Sequence, residues 1–126
     1  YVPVPEVPSP ASGPVFVQPA FRLGAHVAPL GMAFYRGDMF PASANSVLFV
    51  AEHGSWNRSR KAGYRVMRAE VDSSGKVVAY TPFVSGWLRG EAHWGRPTDV
   101  MTLSDGSLLI ADDHGGRIYR VSYAKP

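Results

Sequence analysis

Phe49-Val50-Ala51-Glu52 returns sixty residues later as Leu109-Ile110-Ala111-Asp112, and this echo decides the fold. Two more matches keep the same order. Pro29 and Met32 return as Pro97 and Val100 at an offset of 68, and Gly63-Tyr64-Arg65-Val66-Met67-Arg68 returns as Gly115-Gly116-Arg117-Ile118-Tyr119-Arg120 at an offset of 52. Three consecutive strands therefore recur. The first copy is longer by about eight residues before its second strand and by about eight again after it. Strands that hold while loops vary are the mark of a stacked β-repeat.

Working outward from the echo, strands are predicted over residues 30–35, 47–52, 64–71, 77–84, 98–103, 108–112 and 118–123. Each run is short, rich in β-branched, aromatic or aliphatic residues, and bounded by Gly, Pro, Asn, Asp or Ser. Ser73-Ser74-Gly75 and Ser104-Asp105-Gly106 read as hairpin turns. No stretch holds a 3.6-residue apolar period, so the chain reads as all-β. Four strands, then three, fit nearly two four-stranded antiparallel blades of a β-propeller. Residues 1–19 hold six of the eleven prolines and read as an extended segment, leaving 20–126 for the blades. Two blades do not close a ring, so a piece of a larger propeller is expected, with the remaining blades as its partner.

Composition narrows the function classes. The chain of 126 residues is 45% hydrophobic and 18% charged, which suits a globular chain. It contains no cysteine, which excludes a disulfide scaffold, a thiolate zinc site and a cysteine nucleophile. No apolar run is long enough to span a membrane as a helix. The net charge of +3 includes the cluster Arg58, Arg60, Lys61, Arg65 and Arg68. Nucleic-acid binding calls for a broader basic surface with interleaved aromatics and is not expected. A small polyanion suits the rigid arginine fork better.

Strand alternation places the connections 24–29, 52–63, 85–97 and 112–116 at one end of the blades. All four histidines (His26, His53, His93, His114) and all three tryptophans (Trp56, Trp87, Trp94) fall in those connections. Loops on a rigid scaffold are where sites are built. Within 52–63, either Trp56 anchors a loop that packs on itself, or His53 and Arg58 donate to an anion beside an apolar wall made by Trp56. Arg96 either pairs with Asp99 to pin a strand entry or reaches a ligand carboxylate. Asp112 suits a hydrogen-bonding role that orients an arginine, since Asp112 and Asp113 are too few oxygens for Ca²⁺. The histidines lack zinc-type spacing, and there is no phosphate loop and no serine elbow.

His26-Val27-Ala28-Pro29-Leu30-Gly31-Met32-Ala33-Phe34-Tyr35, Ala51-Glu52-His53-Gly54-Ser55-Trp56-Asn57-Arg58, Gly95-Arg96-Pro97-Thr98-Asp99-Val100 and Asp112-Asp113-His114-Gly115-Gly116-Arg117-Ile118-Tyr119-Arg120 together resemble the C-terminal part of the L-sorbosone dehydrogenase-like family. That family is similar to the soluble quinoprotein glucose and aldose sugar dehydrogenases. The resemblance implies a six-bladed propeller that binds pyrroloquinoline quinone (PQQ) and Ca²⁺, oxidises a sugar and passes electrons to an external acceptor, in the periplasm or outside the cell. It implies Arg96 as a cofactor contact with Asp112 nearby. His53, Trp56 and Arg58 fall in the loop that carries a basic cofactor contact, with Lys61 as a rival. The catalytic histidine and most Ca²⁺ ligands of the family precede this stretch, so none of the four histidines takes that role and the chain alone is expected to be inactive. The alternative, from another class, is a non-catalytic propeller module that binds a protein or glycan through Trp56, Trp87 and Trp94.

Overall fold

In a computed structural model that describes residues 18–124, the two copies of the repeat become two antiparallel sheets. The first has the order β1 (Pro29–Phe34), β2 (Ser46–Glu52), β3 (Arg65–Val71), β4 (Val77–Val84). A small hairpin follows, β5 (Leu88–Arg89) and β6 (Ala92–His93). The second sheet has the order β7 (Pro97–Thr102), β8 (Leu108–Asp112), β9 (Arg117–Val121). Among the described residues there is no helix, and hence none long and apolar enough to cross a membrane. The two sheets by themselves do not close into a ring. The proline-rich stretch falls outside the described residues except for its last two positions.

All seven expected strands form, 77–84 and 108–112 with the expected bounds and the other five shifted by a residue or two at one or both ends. One shift has a clear cause. β3 starts at Arg65 because Tyr64 has φ +60°, the left-handed region an extended strand cannot use. Both expected hairpin turns close, with Gly75 N donating to Asp72 O at 3.0 Å and Gly106 N to Leu103 O at 2.9 Å. The β5–β6 hairpin is an addition inside a stretch read as loop. Two-residue strands around Gly90-Glu91 are too short to show alternation.

The sheets pack through faces set by the period-2 alternation. Phe49, Ala51 and Val66 from the first sheet meet Val100, Leu108 and Ile110 from the second, with Phe40, Tyr64 and Trp87 completing the core. Phe83 packs against Phe49 with the rings tilted by 41° and their centroids 4.5 Å apart. Both first strands carry a bulge at the same place in the repeat, between Pro29 and Met32 and between Pro97 and Asp99. The bulges abut. A Cβ on Gly31 would fall on the side chain and Cα of Asp99, so only glycine lets β1 and β7 approach this closely. This contact fixes one loop end of each sheet against the other, where the candidate site lies.

Candidate functional site

Tyr64 is the floor of the site. It is fully buried, and its hydroxyl donates to Ser55 O. Its ring occupies the place where a Cβ of Gly54 would stand, and Gly54 has φ +96°. The 53–63 loop thus folds back over an aromatic plate, held also by His53 N to Ala28 O (3.0 Å), Gly54 N to Val27 O (2.9 Å) and Ser55 N to Ala62 O (2.9 Å). A bulky aromatic residue in the left-handed region is uncommon, and such strain gathers at functional sites.

Arg96, at the entry to β7, crosses from the second sheet to this loop. Its guanidinium lies 5.4 Å from the centroid of the Tyr64 ring, and Nε donates to His53 O (3.2 Å) while Nη2 donates to Gly54 O (2.5 Å). Two of its five donors are thereby engaged. Asp99 is not its partner, because the Asp99 carboxylate accepts from Val100 N (2.8 Å) and lies against Gly31. Asp112 fixes the arginine from below. It is 2% exposed, and Oδ1 accepts from Arg96 N (2.8 Å) and Gly115 N (2.8 Å) while Oδ2 accepts from Tyr119 OH (2.9 Å). Burial raises the carboxyl's pKa, but the N–H groups of Arg96 and Gly115, then Tyr119 and His114, outweigh it and hold it below the usual carboxylate range. Asp112 acts through Arg96 and the 112–116 turn, with no open surface of its own.

Above this base the imidazoles gather. His53 Nε2 lies 2.9 Å from Asp113 Oδ1. The His93 ring sits between Tyr64 and His114, with both centroids at 4.9 Å. Lys61 Nζ donates to Glu91 O, and Lys61 N donates to Glu91 Oε2 at 2.8 Å, so the β5–β6 turn holds this lysine at the rim. His53, Lys61, His93, Arg96 and His114 therefore converge from four separate segments. Arg58 stands further out, with Nη1 donating to Ala25 O at 3.1 Å.

The tryptophans divide. Trp56 is 85% exposed, so it does not anchor the 53–63 loop, and its ring is free to meet a flat ligand. Trp87 is 3% exposed in the core and cannot serve as a surface anchor, which removes one of the three that a protein- or glycan-binding face would use. Trp94 is half exposed, with Nε1 donating to Gly86 O at 2.8 Å. Sequence reasoning missed Tyr64 and did not single out His93 or His114. Only the density of histidines in the four connections pointed to the last two. No group of three or more His, Asp or Glu among the described residues is arranged to hold a metal ion.

Several known proteins are similar to this chain in sequence or in fold. A protein of Borreliella burgdorferi with no assigned function is 46% identical over 112 residues, covering 87% of this chain and 30% of that protein. A PQQ-dependent pyranose dehydrogenase of Coprinopsis cinerea is 29% identical over 122 residues, covering 82% of this chain and 16% of the enzyme. The holo PQQ domain of Coprinopsis cinerea pyranose dehydrogenase superposes with a TM-score of 0.56 at 25% identity, over 78% of this chain and 27% of that domain. A calcium structure of the Trichoderma reesei carbohydrate-active enzyme of family AA12 superposes at 0.62 with 18% identity, over 76% of this chain and 24% of the other, a likeness of fold. The chain thus spans under a third of each relative. Kinship with PQQ-dependent sugar dehydrogenases is the level at which the sequence resemblance and these relatives agree. Residues 13–124 match the TrAA12-like family, and the chain belongs to it.

Proposed function

We propose that the chain forms part of the quinone-binding wall of an exported PQQ-dependent sugar dehydrogenase, its two sheets being consecutive blades of a six-bladed propeller whose other blades complete the site. The observation that carries this reading is the convergence of Arg96 and His93 on the Tyr64 ring with His114, His53 and Lys61 around them, on the loop end that also carries the exposed Trp56. PQQ is a flat tricyclic quinone with three carboxylates. A donor set rich in fixed cations matches the carboxylates, and Trp56 offers a face for the rings. Arg96 retains three donors beyond the two that fix it to the 53–54 carbonyls. When bound, the quinone would accept the hydride equivalent released from a sugar C–OH. This chain's residues hold the cofactor: Arg96, Lys61 and Arg58 neutralise it, His53 lies beside it, and Asp112 keeps Arg96 in place. Calcium finds no ligand set among the described residues, and no step here depends on it.

The test is titration of PQQ into the protein with its remaining blades in place and into the Arg96→Ala variant of it, followed by tryptophan fluorescence and native mass. Saturable binding that weakens at least about tenfold in the variant, one charge-assisted bidentate contact being of that order, supports the reading. Equal affinity in both proteins removes Arg96 from the site, and no binding in either removes the quinone.

A further inference from the structure

We infer that His93, with the His114 ring packed against it, makes anion uptake at this site proton-coupled, so that a polycarboxylate is held when His93 is protonated and released when it is neutral. This rests on the quinone-site reading and specifies how that site responds to its surroundings.

The geometry carries the inference. His93 stands on β6, and every element around it brings a charged or titratable group. His53 comes from the end of β2, Lys61 and Tyr64 from the β2–β3 connection, Glu91 from the β5–β6 turn, Arg96 from the entry to β7, and Asp112, Asp113 and His114 from the end of β8 and its turn. The acids are already engaged. Asp113 is on His53, Glu91 is on Lys61, and Asp112 is under Arg96. Among the described residues, no side chain or backbone group hydrogen-bonds a ring nitrogen of His93 or His114. His93, with free ring nitrogens, therefore faces a set of fixed cations with no unengaged carboxylate of its own. A proton on His93 meets repulsion until an external anion arrives. Burial first, then His114, Lys61, Arg96 and His53, hold the proton affinity of His93 below the ordinary imidazole level, as this arrangement requires.

Linkage fixes the direction. An anion beside the pair raises the pKa of His93, so binding takes up a proton between the free and bound values. Affinity therefore climbs as pH falls below neutral and levels off once the free protein is itself protonated. Asp112, held below the usual carboxylate range, stays ionised across that window.

The experiment is calorimetric titration of PQQ into the protein with its remaining blades in place at pH 7.5 and 5.5, in two buffers of different ionisation enthalpy. Histidine ring NMR shifts of the wild type are recorded with and without the quinone. The expected result is binding about fivefold or more tighter at pH 5.5, net proton uptake, and a His93 titration that moves to higher pH when the quinone is present. His93→Gln should remove most of the proton uptake and flatten the pH dependence of the affinity, whatever its effect on affinity at pH 7.5. Quinone binding of equal strength at both pH values, with an unmoved His93 titration, overturns the inference and leaves the quinone site standing. No binding at either pH overturns both. The wild-type NMR titration decides the matter even where a variant fails to fold.

Discussion

Glu52 and Asp112 occupy the same place in the two copies of the repeat, at the ends of β2 and β8, and both are buried. Their partners differ. Glu52 accepts from Arg65 Nε (2.8 Å) and Tyr80 OH (2.8 Å), two side chains of its own sheet. Asp112 accepts from the backbone N–H of Arg96 and Gly115, plus Tyr119 OH. The extra methylene of Glu carries its carboxylate out across the strands. The shorter Asp keeps its oxygens near the main chain, where they reach the loops entering and leaving the sheet. One repeat position thus cements a sheet in the first copy and presents Arg96 and the imidazoles in the second.

Glu52→Ala would break the contrast most severely. It leaves the Arg65 guanidinium and Tyr80 hydroxyl without their partner at a fully buried position and should cost about 3 kcal/mol. Tyr80 shows how committed that network is, since burial first and the Glu52 hydrogen bond second push its hydroxyl above the ordinary tyrosine range. Denaturant midpoints would measure the loss, and PQQ affinity should not move. A cost under about 1 kcal/mol would end the cementing role.

Asp112→Ala should be less damaging to the fold, at about 2 kcal/mol, because water can reach the loop N–H groups once the turn loosens. It should nevertheless weaken PQQ binding at least about tenfold, since Arg96 loses its anchor. The pair of variants sharpens the comparison: one position should move stability alone, the other stability and binding together. An Asp112 variant that destabilises without touching binding would show that both carboxylates merely cement.

Acid should act on the site end in two stages. The folded pKa of Asp112 is lowered, so its contribution is present above the ordinary carboxylate value and is lost as pH falls through the lower folded value. For His93 the lowered pKa works the other way. The unfolded chain takes its proton first, so stability slips as pH drops below about 6.5. Denaturation midpoints should therefore decline slightly from pH 7 to 5 and steeply below about 4. His93→Gln should flatten only the first limb, and an unchanged first limb would exclude His93 as its source. The smallest effect belongs to Trp56→Ala. At 85% exposure it should shift stability by no more than about 0.5 kcal/mol while weakening quinone binding, and unchanged binding would leave that ring without a role.

Much of the scaffold was legible from residues alone. Alternation and turn chemistry are local, so Val47-Leu48-Phe49-Val50 and Leu108-Leu109-Ile110 declare their strands, and the repeat declares which strands are equivalent. The grouping of His53, His93, His114 and Arg96 at one end followed from strand alternation. Trp56 and Trp87 show the limit. Both are tryptophans in loops of that end, yet one is exposed and one is core, because burial depends on which sheet face lies opposite. Tyr64 shows the same limit, since a tyrosine next to a strand reads as strand until its backbone angle is known.

By itself the sequence determined an all-β chain, its repeat, the strand order and the end at which chemistry-bearing side chains would gather. Each of these depends on neighbours along the chain or on antiparallel direction. Tertiary structure decided the rest: that Arg96 crosses to the carbonyls of the first repeat, that Asp112 faces backbone where Glu52 faces side chains, and that His93 lies between Tyr64 and His114. Those contacts join residues tens of positions apart. They exist only because Gly31 and Asp99 bring two sheets close enough for one loop end to serve both.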